Sequence, residues 1–343
     1  MYIKPLEIPR HILAAQALDV RIPASHLFKE KISKRAANLL SGYKGENAMR
    51  YHLQFLPEDD FLIFHYIRLP DEYKHFQIDF LLLSRWFYLI IEVKNIYDNI
   101  NFDDLGQTYR KIDDNVEVFT NPVEQINLQY RRLLSWLSKY DLPSVPIEKI
   151  VVYSRDDTYL RNLNNDKRIS DIVMHRDKVL SKVDSFIDKH QTPRISEQQL
   201  LDLSWHLLNE HVPEKDGGMD QFNVNYDDLI KGVLCPDCGT VPMQWKSGKW
   251  WCDFCGCTSK TAHRQALMDY ALLVGEHINN RQARDFLRVG SSYIAKDILQ
   301  KENFEKIGST SGRKYRIDLE NLFKSRSWKQ KARSSHQKSR SSQ

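Results

Sequence analysis

Three apolar runs of strand length stand almost end to end between Phe61 and Asn95: FLIFHYIRL, FQIDFLLL and FYLIIEVKN. Apolar runs of this length with short polar breaks read as neighbouring strands of a buried sheet. Three ionisable side chains, Asp79, Glu92 and Lys94, interrupt them where a core strand is ordinarily apolar. Strand side chains alternate between faces, so Glu92 and Lys94 point one way and Val93 the other. A turn centred between Arg85 and Trp86 sets Asp79 across from Glu92, and facing Cβ atoms lie ~4.5–5.5 Å apart.

Two buried carboxylates so close repel one another, and burial adds to the cost. A divalent cation removes the repulsion, and Mg²⁺ ordinarily takes one or two carboxylates together with phosphate and water. Lys94 reaches the same pocket, where an ammonium steadies a metal-activated water. The expected chemistry is phosphodiester hydrolysis. The plainer alternatives are a salt bridge between Asp79 and Lys94, or an Asp79 that faces solvent on a half-exposed sheet.

The flanking sequence supplies the other layers. A helix is expected from about Ser41 to Leu56, before the strands. After them, the acidic stretch NINFDDLGQTYRKIDDN reads as turns and a short hairpin. The segment TNPVEQ opens a helix: Asn121 caps it, Pro122 takes the first helical position and Glu124 the third. Val123, Ile126, Tyr130, Leu133, Leu134 and Leu137 then mark its apolar face. IEKIVVYS (147–154) is a further strand. Helix, three-stranded meander, helix and strand make an α/β layer fold.

These residues resemble the nuclease-related domain, or NERD, of the PD-(D/E)xK nuclease superfamily. The resemblance rests on four motifs in order: Gly45-Glu46 on the first helix, Gln77-Ile78-Asp79, Ile91-Glu92-Val93-Lys94-Asn95, and Asn121-Pro122-Val123-Glu124-Gln125. It implies that Asp79 and Glu92 bind Mg²⁺ or Mn²⁺ with the Val93 carbonyl, and that Lys94 acts on the attacking water. It further implies that Glu46 and Gln125 stand at the rim of the same site.

All five cysteines fall between positions 235 and 257, within CPDCGTVPMQWKSGKWWCDFCGC. Cys235-x2-Cys238 and Cys252-x2-Cys255 supply four thiolates for tetrahedral Zn²⁺, a closed and therefore structural site. Cys257 is surplus, and His263 is a weaker substitute ligand. Lys249 and Trp250 are candidates to touch nucleic acid, although a ribbon this small also needs tryptophan for its own core.

Beyond the ribbon, NRQARDFL, a turn at RVGS with Gly290 at the break, and SSYIAKDILQ form a helix-turn-helix pattern. GSTSGRKYRID follows as its wing. Ser292, Tyr293 and Lys296 are candidates to face DNA from the second helix, and Arg313, Lys314 and Arg316 from the wing tip. Charge supports this division. Residues 45–130 hold 15 Asp/Glu against 7 Lys/Arg, whereas residues 259–343 hold 18 Lys/Arg against 8 Asp/Glu.

The expected organisation is a helical arm (1–40), a NERD domain (41–192), a helix and linker (193–230), a zinc ribbon (231–259), a winged-helix-like domain (260–323) and a basic disordered tail (324–343). The arrangement resembles a class of bacterial NERD proteins. Its expected function is Mg²⁺-dependent cleavage of nucleic acid, with DNA the expected partner; the alternative is an inactive DNA-binding or scaffold protein on the same fold. No run reaches the length of a membrane span and no secretory signal pattern opens the sequence, so the expected location is cytoplasmic.

Overall fold

The computed structural model describes residues 1–214, 218–309 and 312–324; the expected tail lies outside them apart from Lys324. The chain divides into two compact units, residues 1–9 with 37–215 and residues 10–36 with 216–343. The first forty residues are thus shared between them: β1 (Tyr2–Lys4) belongs to the first unit and α1 (Arg10–Arg21) to the second.

The first unit is built on α2 (Lys29–Leu53, of which residues 37–53 belong to it), the meander β2 (Leu62–Asp71), β3 (Lys74–Leu83) and β4 (Tyr88–Lys94), then α3 (Pro122–Leu137) and β8 (Ile147–Tyr153). This is the helix, meander, helix and strand order that the sequence implies. Between β4 and α3 come β5 (Asp98–Phe102), β6 (Thr108–Ile112) and β7 (Asn115–Phe119). After β8 come β9 (Thr158–Asn162), α4 (Lys167–Ile172), β10 (Val173–His175), α5 (Val179–Lys189) and α6 (Glu197–Glu210). The central sheet has the order β1-β2-β3-β4-β8-β10. Its meander is antiparallel, whereas β4, β8 and β10 run parallel.

Residues of both faces of the sheet are buried, which is why its strands read as near-continuous apolar runs. Phe64, Ile67, Ile78, Phe80, Ile90 and Ile91 are fully enclosed. Each such side chain contributes about 1.5–3 kcal/mol of burial. The predicted register holds from Leu83 opposite Tyr88 to Phe80 opposite Ile91.

The acidic stretch after β4 is more ordered than turns and one hairpin. β5, β6, β7 and β9 form a second sheet in the order β7-β6-β5-β9. Ile100 and Phe102 alternate inward and are buried, which anchors β5 as a strand.

Asn121 caps α3 as predicted, its Oδ1 accepting from Val123 N at 2.8 Å. The buried face of α3 differs in part. Gln129 and Trp136 are enclosed while Leu134 is 41% exposed. A polar side chain takes a core position here because Glu92, beneath it, needs a donor.

The second unit adds α7 (Gly218–Gln221), a ribbon sheet of β11 (Gln244–Lys246), β12 (Lys249–Trp251) and β13 (Thr258–Ser259), then α8 (His263–Leu273), β14 (His277–Asn279), α9 (Asn280–Leu287), α10 (Ser292–Lys301), β15 (Glu305–Ile307), β16 (Lys314–Arg316) and α11 (Leu319–Lys324). β14, β16 and β15 form one antiparallel sheet. Three helices with a two-stranded hairpin and one added strand make a winged-helix-like domain. Arg288, left-handed at φ 56°, ends α9 in place of the expected Gly290. Ser291 caps α10, its hydroxyl accepting from Ile294 N at 3.4 Å.

Among the described residues no helix is long and apolar enough to cross a membrane.

Candidate active site and metal centre

Asp79 stands at a gap in two ladders. On one side, β2 and β3 pair at His65–Phe80 and again at Ile67–Ile78, skipping Tyr66 and Asp79. Tyr66 takes a left-handed backbone at φ 52°, which strains a bulky residue and is characteristic of functional positions. On the other side, the β3–β4 ladder ends one step before the Asp79–Glu92 position. The Asp79 carboxylate fills the gap itself, its Oδ2 accepting from Val93 N at 2.9 Å. The side chain thereby replaces a strand carbonyl and holds the two strands at the spread that admits it.

Glu92 is held from two directions. Its Oε1 accepts from Lys94 Nζ at 2.7 Å and from Gln125 Nε2 at 2.6 Å. Its Oε2 accepts from Gln129 Nε2 at 2.7 Å. Lys94 Nζ donates also to Gln125 Oε1, at 2.8 Å. Glu92 and Lys94 share a face because they are two residues apart on a strand. Gln125 and Gln129 share one because they are four apart on a helix.

Glu46 approaches from α2, and its neighbour explains how. A Cβ on Gly45 would stand 2.5 Å from Asn95 Cβ and 2.9 Å from Ser154 Oγ. Only glycine lets the helix lie this close to the ends of β4 and β8. Asn95 Nδ2 fastens the same contact by donating to the Ser41 carbonyl at 2.6 Å. Glu46 Oε2 then accepts from His65 Nε2 at 2.6 Å. The other ring nitrogen of His65 is buried without a hydrogen-bond partner.

Burial, with Glu92 and Glu46 close by, raises the Asp79 carboxyl well above the usual carboxylate range. Lys4 donates to the His65 carbonyl at 2.7 Å, and burial lowers its ammonium to about 8.

The five acidic, basic and amide residues singled out by sequence therefore meet in one place. Sequence reasoning passed over His65, Gln129 and the packing roles of Gly45 and Asn95. Gln129 carried a signal, lying one helical turn beyond Gln125; His65 was the lone imidazole within an apolar strand.

The cysteine centre is a separate construction. The sulfurs of Cys235, Cys238, Cys252 and Cys255 all lie within 4.8 Å of one another, and this is the one potential metal-holding group of three or more His, Cys, Asp or Glu among the described residues. Each knuckle turns on its glycine: Gly239 N donates to the Cys235 carbonyl at 3.0 Å and Gly256 N to the Cys252 carbonyl at 2.9 Å. Both glycines have the positive φ that such turns demand. Cys257 stays outside the quartet; its carbonyl accepts from Cys252 N at 2.9 Å, and its thiol lies beside Asp237 and Cys235. The donor set fits Zn²⁺ in a zinc ribbon.

Trp250, expected at a nucleic-acid face, is a core residue with no exposed surface. Its Nε1 donates to His263 Nδ1 at 3.0 Å, and His263 Nε2 meets Glu302 Oε1 at 2.8 Å. His263 is therefore engaged as a hydrogen-bond bridge and does not join the quartet. Lys249 is half-buried, paired across the hairpin with Lys246.

On α10, Ser292, Tyr293 and Lys296 are exposed, Tyr293 by 78%. Lys314 and Arg316 belong to strand β16 instead of the wing tip. Tyr315 between them is buried, so alternation turns both outward. Arg316 lies 3.7 Å from both Glu276 and Glu305, and Arg313 is half-buried.

Acids on neighbouring strands beside a lysine two residues on, flanked by helices at both ends of the meander, define the PD-(D/E)xK nuclease fold. Residues 41–154 match the family model of the nuclease-related domain, and the chain carries that domain. No curated protein and no solved structure matches the chain.

Proposed function

We propose that the protein is a metal-dependent nuclease acting on DNA, with its second unit holding the substrate. The observation that carries this reading is Asp79, buried at a gap in the sheet beside Glu92 and Lys94. Burial first, and then the nearness of Glu92 and Glu46, raises its carboxyl, and a cation relieves the crowding of the acids. The site offers two sheet carboxylates, the number Mg²⁺ ordinarily takes while keeping several waters.

Asp79 and Glu92 would hold Mg²⁺ or Mn²⁺ with the Val93 carbonyl. When bound, such an ion polarises a phosphoryl oxygen and acidifies a coordinated water. Lys94 would orient the attacking water, and Gln125 keeps the ammonium aimed by accepting from it. Gln129 fixes the Glu92 rotamer, and Glu46 with His65 closes the rim.

In the second unit the zinc ribbon is structural, and α10 enters the major groove with Tyr293 and Lys296. Lys314 and Arg316 on the wing reach the backbone. The basic excess of residues 259–343 supplies the attraction that the acidic segment 45–130 lacks. A compartment that keeps thiols reduced, such as a bacterial cytoplasm, suits four zinc-binding thiolates.

One observation favours the silent alternative: both Glu92 oxygens already accept hydrogen bonds from the chain itself. Cleavage of plasmid and oligonucleotide with Mg²⁺ or Mn²⁺, beside Lys94→Ala and Asp79→Ala, separates the two. The nuclease reading requires activity in the parent and its loss in both variants. Inactivity of the parent with DNA binding intact selects the alternative.

A further inference from the structure

The second sheet of the first unit has a face that the acid site does not use. The site strand β4 and its neighbour β8 each lead into it after a short break. β5 begins at Asp98, four residues after Lys94, and β9 at Thr158, five after Tyr153; the parallel pairing of Lys94 with Tyr153 continues as Asp98 with Thr158. Thr158 Oγ1 donates to the Ile96 carbonyl at 2.6 Å across the junction. The sheet therefore follows directly on the site, beginning no more than about 13 Å of chain from Lys94.

Its inner side, with Ile100, Phe102 and Thr108, is buried. On the outer side one row across the four strands reads Val118, Tyr109, Asn101 and Arg161; Asn101 is buried beneath its neighbours, Tyr109 is half-buried, and Val118 and Arg161 are exposed. Lys111 and Tyr159 stand two residues along on β6 and β9. Tyr159 is 60% exposed and the Arg161 guanidinium lies 5.4 Å from its ring. The acids of this segment do not reach this side. Asp103, Asp104, Asp113 and Asp114 occupy the turns, and Glu117 is held by Arg110 on the inner side at 2.6 Å.

We propose that this face is a track for single-stranded nucleic acid beside the acid site, so that the preferred substrate is DNA that carries a single-stranded segment or end. The proposal rests on the nuclease reading above. Tyrosines offer stacking surfaces that only unpaired bases can use, and Lys111 and Arg161 meet the phosphates. A duplex keeps its base faces hidden and gains only the two cations.

The test measures binding by full-length protein in a Lys94→Ala background, using labelled oligothymidylate and a duplex of equal length. Tyr159→Ala with Arg161→Ala lowers single-strand affinity about tenfold and duplex affinity by about twofold or less. Tyr159→Phe, which keeps the ring, retains parent affinity for the single strand. Unchanged single-strand affinity, or equal loss for both ligands, overturns the track and leaves cleavage standing. A parent dimer that the double variant turns into monomer assigns the face to a second copy and also overturns it. Cleavage that survives Lys94→Ala overturns the nuclease reading instead, while a selective loss of single-strand binding still upholds the track.

Discussion

The cysteine quartet and the candidate acid site are opposite constructions. The cysteine quartet comes from two short knuckles, with its sulfurs gathered within 4.8 Å and each turn closed by its own glycine. The acid site takes side chains from α2, β2, β3, β4 and α3, far apart in sequence, and its acids are held by hydrogen bonds from protein groups. A closed set of thiolates is built to keep its ion. Two carboxylates with protein donors around them, on the reading proposed above, would exchange one. The difference predicts that disturbing the first costs the fold, and disturbing the second costs the chemistry.

The largest effect is expected at the quartet. Cys235 and Cys252 are part of the second unit's hydrophobic core, together with Met243 and Trp250. Structural zinc is worth about 10–16 kcal/mol in isolated fingers, as much as a whole domain's stability. Cys252→Ser should abolish bound zinc by elemental analysis and unfold the second unit in calorimetry. Cys257→Ser should leave both unchanged. Equal zinc loss in the two variants would place Cys257 among the ligands and break the contrast.

Next comes the chemistry. Lys94→Ala should lower the cleavage rate about 10²–10⁴-fold, the range of a positioned proton-handling group. Its melting temperature should hardly move, since the lysine is partly exposed and Glu92 keeps two amide donors. A variant that loses activity only by unfolding would show the acid site to be structural as well.

A smaller effect is expected one layer out. Gln129→Leu removes the donor to Glu92 Oε2, and an unmatched buried acceptor costs about 1–3 kcal/mol. Chemical denaturation should show that loss without any change in zinc content. Added Mg²⁺ should restore part of it, because an ion bound only by the folded state stabilises it.

What could be read in the sequence follows the same contrast. The knuckles were legible because their chemistry is local: two residues between cysteines and a glycine after each pair. The hairpin register was legible because strand alternation and turn position fix it. Trp250 was misplaced because composition cannot tell a buried indole from an exposed one; the decision lay with His263, thirteen residues on. His65 and Gln129 escaped because their partners, Glu46 and Glu92, lie 19 and 37 residues away. Leu134 was assigned to the core because spacing counts apolar residues, whereas the helix turns Gln129, Leu133 and Trp136 inward and leaves Leu134 exposed.

The smallest effect concerns Asp79 and pH. Its carboxyl is raised by burial, then by Glu92 and Glu46. Above the ordinary carboxylate range, near 3.9, the unfolded chain has released this proton while the folded chain still holds it. Stability therefore falls as pH rises from that range through the raised folded value, and the full penalty remains above it. Asp79→Asn does not titrate and escapes the penalty. Without added divalent ion it should be the more stable protein at pH 8, by about 1 kcal/mol or 2–4 °C, while cutting nothing. The gain should shrink towards pH 4, where parent and variant are both uncharged at this position. Added Mg²⁺ should narrow it at pH 8 by stabilising the parent alone. If Asp79→Asn is destabilising at every pH, the Val93 contact outweighs the crowding, and the carboxylate belongs to the sheet before it belongs to a metal.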